Sequence, residues 1–125
     1  MKELVLKLTA LVRPVVIEDE KGDKVEYELR EMKAADRDTY LTQFAGRCRV
    51  NDAGEVTSLV KFDGMQAELL RRTLYKKEDS TPVLIAEVQK WPATAVTQLF
   101  VAAQELNKLV KQDKATEEDE ETKNA

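Results

Sequence analysis

The sequence predicts an α+β fold in which an N-terminal β-hairpin or small antiparallel sheet is followed by a predominantly helical bundle. Two observations predict this class: apolar and polar residues alternate near the start of the chain, and later segments carry apolar residues at helical spacing. The chain has 125 residues, of which 42% are hydrophobic, and this is enough for one core. We therefore predict a single α+β domain over residues 1–111.

The clearest strand pattern lies in "VRPVVIEDEKGDKVEYELREM". Val25, Tyr27 and Leu29 alternate with charged residues, which is the period of a strand with one buried face, and "EDEKGD" supplies the turn before it. Residues 15–17 supply the first strand, and Pro14 places that strand at a sheet edge or at its own start. These features predict a β-hairpin.

The segment before the hairpin, "KELVLKLTAL", fits two structures. Leu4, Leu6 and Leu8 have the spacing of a strand, whereas Leu4, Leu8 and Leu11 have the spacing of a helix. We favour a strand because the segment runs into the hairpin without a turn signal.

Helical spacing after the hairpin predicts four helices, over residues 34–49, 63–77, 84–90 and 92–111. The first helix has one stripe of residues that we expect to face the core, with the cysteine as a small buried hydrophobe: Tyr40, Leu41, Phe44 and Cys48. Residues 50–64 are predicted to form a loop with a turn at Asn51 to Gly54.

Asp63 with Gln66 resembles a capping box that opens the second helix. That helix is predicted to face inward through Leu69, Leu70, Thr73 and Leu74. Its last turns carry a basic cluster beside acidic residues, which we interpret as a solvated face that neutralises itself rather than a phosphate-binding patch.

The last helix is predicted to begin at the Trp91–Pro92 step, because proline suits the first turn of a helix. We expect Trp91 either to fill the core or to anchor a partner. The helix has a broad apolar face that includes one polar residue, Asn107. Its amide either ties down a neighbouring loop or sets the register against a partner helix. We predict that the outer edge of this face binds a partner through Leu99, Phe100 and Leu106.

Charge is concentrated at the end of the chain. Residues 112–125, "QDKATEEDEETKNA", hold six acidic and two basic side chains, so they carry the formal net charge of −4 of the whole chain. They hold no apolar residue larger than alanine, and we predict a disordered acidic tail. The remaining body is neutral, which argues against nucleic-acid binding.

Several classes of chemistry are excluded by residue content. The chain has one cysteine and no histidine, so an internal disulfide, the usual zinc sites and histidine-based activation of a nucleophile are all excluded. We predict no enzyme, no catalytic residue, no cofactor and no metal. No apolar run approaches the roughly 20 residues of a membrane span, so we expect no membrane contact and a cytoplasmic protein.

Three stretches together resemble the small tail assembly chaperones of long-tailed bacteriophages and prophages: "VEYELREMKAADRDTYL", "FDGMQAELLRRTLY" and "WPATAVTQLFVAAQELNKL". The resemblance spans roughly residues 12–110. It implies a protein of the bacterial cytoplasm that binds the tape-measure protein and keeps its apolar helices soluble while tail-tube protein subunits assemble around them. Self-association is a further possibility. The alternative is a structural phage component, a head-to-tail connector or tail-terminator protein, which would remain in purified particles.

Overall fold

The computed structural model describes residues 2–109, so the acidic tail predicted for residues 112–125 lies outside the described residues. Within residues 2–109 the chain forms five strands and four helices, which confirms the predicted α+β class. Their bounds are β1 (Val12–Glu18), β2 (Lys24–Arg30), α1 (Ala34–Ala45), β3 (Cys48–Val50), β4 (Val56–Leu59), α2 (Met65–Thr73), β5 (Leu74–Lys76), α3 (Ile85–Val88) and α4 (Ala93–Leu106).

The predicted N-terminal hairpin is confirmed. Strands β1 and β2 pair antiparallel, with Val15 opposite Tyr27. The turn between them is closed by Asp19, whose Oδ1 accepts hydrogen bonds from the backbone N–H groups of Lys21 and Asp23, each at 2.9 Å. This is the side-chain chemistry expected of aspartate in a turn.

A third strand, β5, pairs with β2 and gives the sheet order β1-β2-β5. The helix predicted over residues 63–77 is therefore too long, since α2 ends at Thr73 and Leu74 has extended backbone. Leu74 lies directly opposite Leu29, and both side chains are fully buried. Strand pairing and burial at this position outweigh the local preference for helix.

The segment after α1 forms a second hairpin that the sequence analysis missed. The helix predicted over residues 34–49 ends at Ala45, and β3 then pairs antiparallel with β4. Gly46 follows the helix and is a poor helix former. The prediction of a loop over residues 50–64 is consequently wrong for β4, Val56–Leu59.

The turn inside this second hairpin is the one predicted at Asn51 to Gly54. Asn51 Oδ1 accepts hydrogen bonds from the backbone N–H groups of Ala53 and Glu55, each at 2.9 Å. Gly54 has a φ of 83°, a conformation that favours glycine. Cys48 lies half-buried in β3, so its predicted place on the first helix is wrong.

The capping box predicted at Asp63 and Gln66 is also wrong. Helix α2 begins after Gly64, whose φ is 71°, and no side-chain hydrogen bond caps its start. The Gln66 Oε1 atom instead accepts a hydrogen bond from the Thr97 hydroxyl at 3.4 Å. This contact links α2 to α4.

Helices α3 and α4 are shorter than the predicted ranges of 84–90 and 92–111. Helix α4 begins directly after Pro92, as predicted, and ends at Leu106. It ends there because Lys108 has a φ of 55°, which is incompatible with a right-handed helix.

The core lies where α2 and α4 pack against each other and against β2. The predicted inward face of the second helix is confirmed for Leu69, Leu70 and Thr73, which are fully buried on α2. Leu74 is fully buried as predicted, but it lies in β5 and not on the helix. The helices therefore share their core with the sheet and do not form a separate bundle. None of the helices within residues 2–109 has the length and apolar character needed to cross a membrane.

Residues 2–11 form neither the strand that we favoured nor a helix. They run without a turn or bend and are exposed throughout. Strand β1 begins at Val12 because β2 ends at the opposite residue, Arg30. After Arg30 the chain leads into α1, so residues 2–10 have no neighbouring strand in the described part of the chain. We call residues 2–11 the N-terminal arm.

Candidate protein-binding surfaces

The structure places most of the predicted partner-binding residues in the core. Only 8% of Leu99 and 7% of Phe100 are exposed, because α4 lies against both α2 and β2. The exposure that the prediction required is therefore not found at these two positions. Leu106 is half-buried at the edge of the core, and its role in binding stays a prediction.

The Asn107 amide ties α4 to the segment that follows β2. Asn107 is 5% exposed, and its Oδ1 accepts a hydrogen bond from the Met32 N–H at 2.7 Å. Its Nδ2 donates to the Ala103 carbonyl oxygen at 2.9 Å. Both polar atoms of the amide are thus used within the chain, which confirms the loop-tying interpretation. Met32, the residue that Asn107 holds, follows β2 and does not lie in the turn of the hairpin.

An open groove lies between the start of α2, the end of α3 and the start of α4. Its volume is about 390 Å³. All of its lining residues are uncharged, and most are apolar: Phe62, Gly64, Met65, Gln66, Ala67, Val88, Gln89, Trp91, Ala93 and Val96. We call it the α2–α4 groove. Predominantly apolar lining with a few polar groups is typical of binding sites in proteins.

Phe62 is the most exposed aromatic side chain at this groove, with 64% of its surface accessible. The chain holds it beside α2 because the Met65 N–H donates to the Phe62 carbonyl oxygen at 3.0 Å and Gly64 makes the sharp turn between them. Phe62 was predicted to lie in a loop and was not predicted as a binding residue. The available signal was a large aromatic residue in a loop, directly before a helix.

Trp91 lines the α2–α4 groove and also lines a cavity beside the end of β1. Its ring packs edge-on against Tyr27, with the ring centroids 6.0 Å apart. Burial, followed by the nearby negative charge of Glu87, raises the pKa of the Tyr27 hydroxyl. Trp91 itself is half-buried, so the ring packs on the core and still lines the groove.

A second groove follows the edge strand β1 and the exposed side of α4. It consists of two adjoining cavities of about 440 and 450 Å³, which share Ile17, Glu18 and Ala95. Leu99 and Ala102 lie along one cavity, and Trp91 lies in the other. We call it the β1–α4 groove.

The basic cluster on α2 is neutralised within the chain, as predicted. The Glu68 carboxylate is 3.0 Å from Arg71 Nε and 2.6 Å from Arg72 Nη1. Burial alone would raise the pKa of Glu68, but the hydrogen bonds from Arg72 and Arg71 lower it. The two lysines also face carboxylates, Lys76 with Glu87 at 3.7 Å and Lys77 with Glu26 at 3.6 Å.

Within residues 2–109, no three cysteine, aspartate or glutamate side chains are grouped so that they could hold a metal ion. No known protein family, curated protein or solved structure matches this chain. The resemblance to tail assembly chaperones therefore stays a prediction, and the surfaces described above are the basis for any functional conclusion.

Proposed function

We propose that this protein is a phage or prophage tail assembly chaperone that binds apolar helices of the tape-measure protein in the α2–α4 groove. The observation that carries the proposal is the combination of an open, uncharged groove with an exposed aromatic side chain, Phe62, at its rim. An amphipathic helix binds such a groove by inserting apolar side chains at intervals of three and four residues.

The chemistry of the groove suits a series of different apolar helices better than one fixed ligand. Phe62 and Trp91 offer flat aromatic surfaces, which are common anchors in protein interfaces. Met65 adds a flexible thioether side chain that adapts to ligands of different shape. The amides of Gln66 and Gln89 supply hydrogen-bonding groups without imposing a charge on the ligand.

The openness of the groove also suits a transient complex. A helix that lies in a surface groove keeps its other face free, so tail-tube protein subunits could replace the chaperone without its unfolding. This role belongs to the cytoplasm of the bacterial host, where tails assemble. The described surface assigns no particular residue to contact with the tail-tube protein.

The test uses synthetic tryptophan-free peptides that cover the apolar helices of the tape-measure protein encoded by the same phage or prophage. Trp91 is the one tryptophan in the chain and lines both grooves, so a change in its emission that is lost in the Phe62→Asp variant reports binding at the α2–α4 groove. We expect at least one peptide to shift the emission of the wild-type protein. Phe62→Asp should weaken that binding by at least about tenfold, because it replaces an aromatic anchor with a charge.

Val101→Asp is the matched control, since Val101 is a partly exposed apolar residue of α4 that is not among the groove residues. Both variants should melt within a few degrees of the wild-type protein. Equal peptide affinity for Phe62→Asp and wild type, with both folded, would remove the α2–α4 groove from the proposal. Peptides that bind no form of the protein would contradict the proposed function.

A further inference from the structure

We propose that the N-terminal arm of one copy forms the strand next to β1 of a second copy, so that two copies exchange arms across a two-fold axis. The surface concerned is the edge of β1 and the β1–α4 groove, which lie on the other side of Trp91 from the α2–α4 groove. The proposal does not depend on the tape-measure protein. Three features carry it: the arm, the open edge of the sheet, and the match between them.

The arm exposes a row of leucines that has no cover in the described part of the chain. Leu4, Leu6 and Leu8 occupy alternate positions, and Leu8 is 100% exposed. Alternation of this kind is the pattern of a strand with one apolar face. Large contiguous exposed apolar surfaces mark sites of interaction with other molecules.

The arm cannot fold back onto its own β1 strand. It runs into β1 without a turn or bend. Its end is also held in line with the sheet, because the Glu31 N–H donates to the Leu11 carbonyl oxygen at 2.9 Å and the Leu11 N–H donates to Glu31 Oε1 at 3.0 Å. An arm that pairs with β1 therefore belongs to another copy of the chain.

The edge of β1 is open to such a strand. The sheet order is β1-β2-β5, and the outer edge of β5 is already covered: the Lys76 N–H donates to the Thr81 carbonyl oxygen at 2.8 Å, and the Val83 N–H donates to the Leu74 carbonyl oxygen at 3.0 Å. Among residues 2–109, β1 has a neighbouring strand on one side only. Edge strands with free backbone groups are templates for pairing with another chain.

The backbone groups that β1 points outward can be identified from the hydrogen bonds at its two ends. Leu11 bonds toward the β2 side through Glu31, and the Asp19 N–H bonds to the Asp23 carbonyl oxygen at 2.9 Å. The backbone N–H and C=O groups of successive residues in a strand point to opposite sides. Those of the odd-numbered residues of β1 therefore point toward β2, and those of the even-numbered residues point outward. Pro14, which lacks an N–H group, accordingly lies at an outward position, so a strand paired there makes one hydrogen bond fewer at Pro14 than at the other outward residues.

The backbone N–H and C=O groups of even-numbered residues point outward in the arm as they do in β1. Even-numbered residues therefore pair with even-numbered residues, and this limits the register. Antiparallel pairing about a two-fold axis at Ala10 brings the exposed apolar rows of the arm and of β1 together: Leu4 opposite Val16, Leu6 opposite Pro14, and Leu8 opposite Val12. Val16 is 59% exposed and Val12 is 47% exposed, so both have apolar surface to cover. Directly opposite apolar side chains are the unit of sheet stabilisation.

At the ends of the paired segments, this register brings one pair of opposite charges together. Lys2 comes opposite Glu18 of the second copy, whereas a shift by two residues in either direction separates them. On the other face, Lys7 comes opposite Arg13, whose guanidinium is 3.9 Å from the Glu105 carboxylate. That carboxylate offsets the like charges.

The contact includes both the arm and β1. Val5 comes opposite Val15, at the β1–α4 groove, so the arm covers that groove as well as the sheet edge. The arm and β1 together give about 17 residues from each copy, near the 20 to 30 residues per side of a standard protein interface. The arrangement is isologous and closes as a dimer.

The test is a cysteine scan of the arm in full-length protein that carries Cys48→Ser. Ala10→Cys places two symmetry-related thiols opposite each other, at a Cα separation of about 5.5 Å that a disulfide can bridge. Oxidised glutathione as the oxidant should convert these two thiols to one disulfide and give a covalent dimer on a non-reducing gel. Leu8→Cys is the control, because its two copies would be about 13 Å apart along the strands.

We expect the Ala10→Cys dimer to form at least tenfold faster than the Leu8→Cys dimer, and the wild-type protein to have the mass of a dimer in light scattering. Leu6→Asp should shift that mass toward the monomer while the helical circular dichroism is retained. A monomeric wild-type protein at high concentration would overturn the proposal. Equal rates for the two cysteine variants would overturn the register, and with it the exchange of arms through β1.

Discussion

Leu29→Ala is expected to lower the free energy of unfolding by about 2 to 5 kcal/mol, the range for removing a buried leucine side chain. Leu29 is fully buried in the central strand of the sheet, directly opposite Leu74 of β5. The truncation leaves a cavity where the sheet meets α2 and α4, and a close-packed core closes such a cavity only in part. Urea unfolding followed by circular dichroism measures the change.

Val25→Ala is the matched control for this prediction, because Val25 lies in the same strand but is 45% exposed. Its effect should stay below about 1 kcal/mol. Equal losses for the two variants would show that β2 is not the centre of the core.

Asn107→Leu is expected to lower the free energy of unfolding by about 1 to 3 kcal/mol, the cost of a buried polar group without a partner. The substitution removes the acceptor of the Met32 N–H, which is buried and bonds to Asn107 Oδ1 at 2.7 Å. It also removes the side-chain donor to the Ala103 carbonyl oxygen. Thermal and urea unfolding of the variant measure the loss.

Gln104→Leu makes the same kind of substitution about one helical turn earlier, at a half-buried position of α4. We expect its effect to remain within about 1 kcal/mol. If Asn107→Leu were as stable as the wild-type protein, the amide would not hold α4 against the segment after β2.

The parts of the fold that follow from local chemistry could be predicted from the sequence. The hairpin of β1 and β2 is one example, because the alternation around Tyr27 and the turn at Asp19 lie within a few residues of each other. The buried face of α2 is another, since it depends only on helical spacing. Asn107 was recognised as a polar residue on an apolar face, but its acceptor role toward Met32 joins residues 75 positions apart.

The parts that depend on distant partners could not be predicted. Strand β5 continues directly from α2 and looks helical by itself, and only its pairing with β2 makes Leu74 extended. The burial of two of the predicted partner-binding residues could not be predicted for a similar reason. Leu99 and Phe100 are apolar residues of a helix whose burial depends on how α2 and β2 pack around it. Phe62 lies at a groove only because three distant helices meet beside it.

The proposed function is tested by co-expression of the wild-type protein with the tape-measure protein of the phage or prophage to which we propose that it belongs. The quantity to measure is the fraction of tape-measure protein that is soluble and co-purifies, compared with expression of the tape-measure protein alone. We expect the tape-measure protein to move into the soluble fraction and to co-purify with this protein. A tape-measure protein that stays insoluble beside abundant, folded copies of this protein would contradict the account.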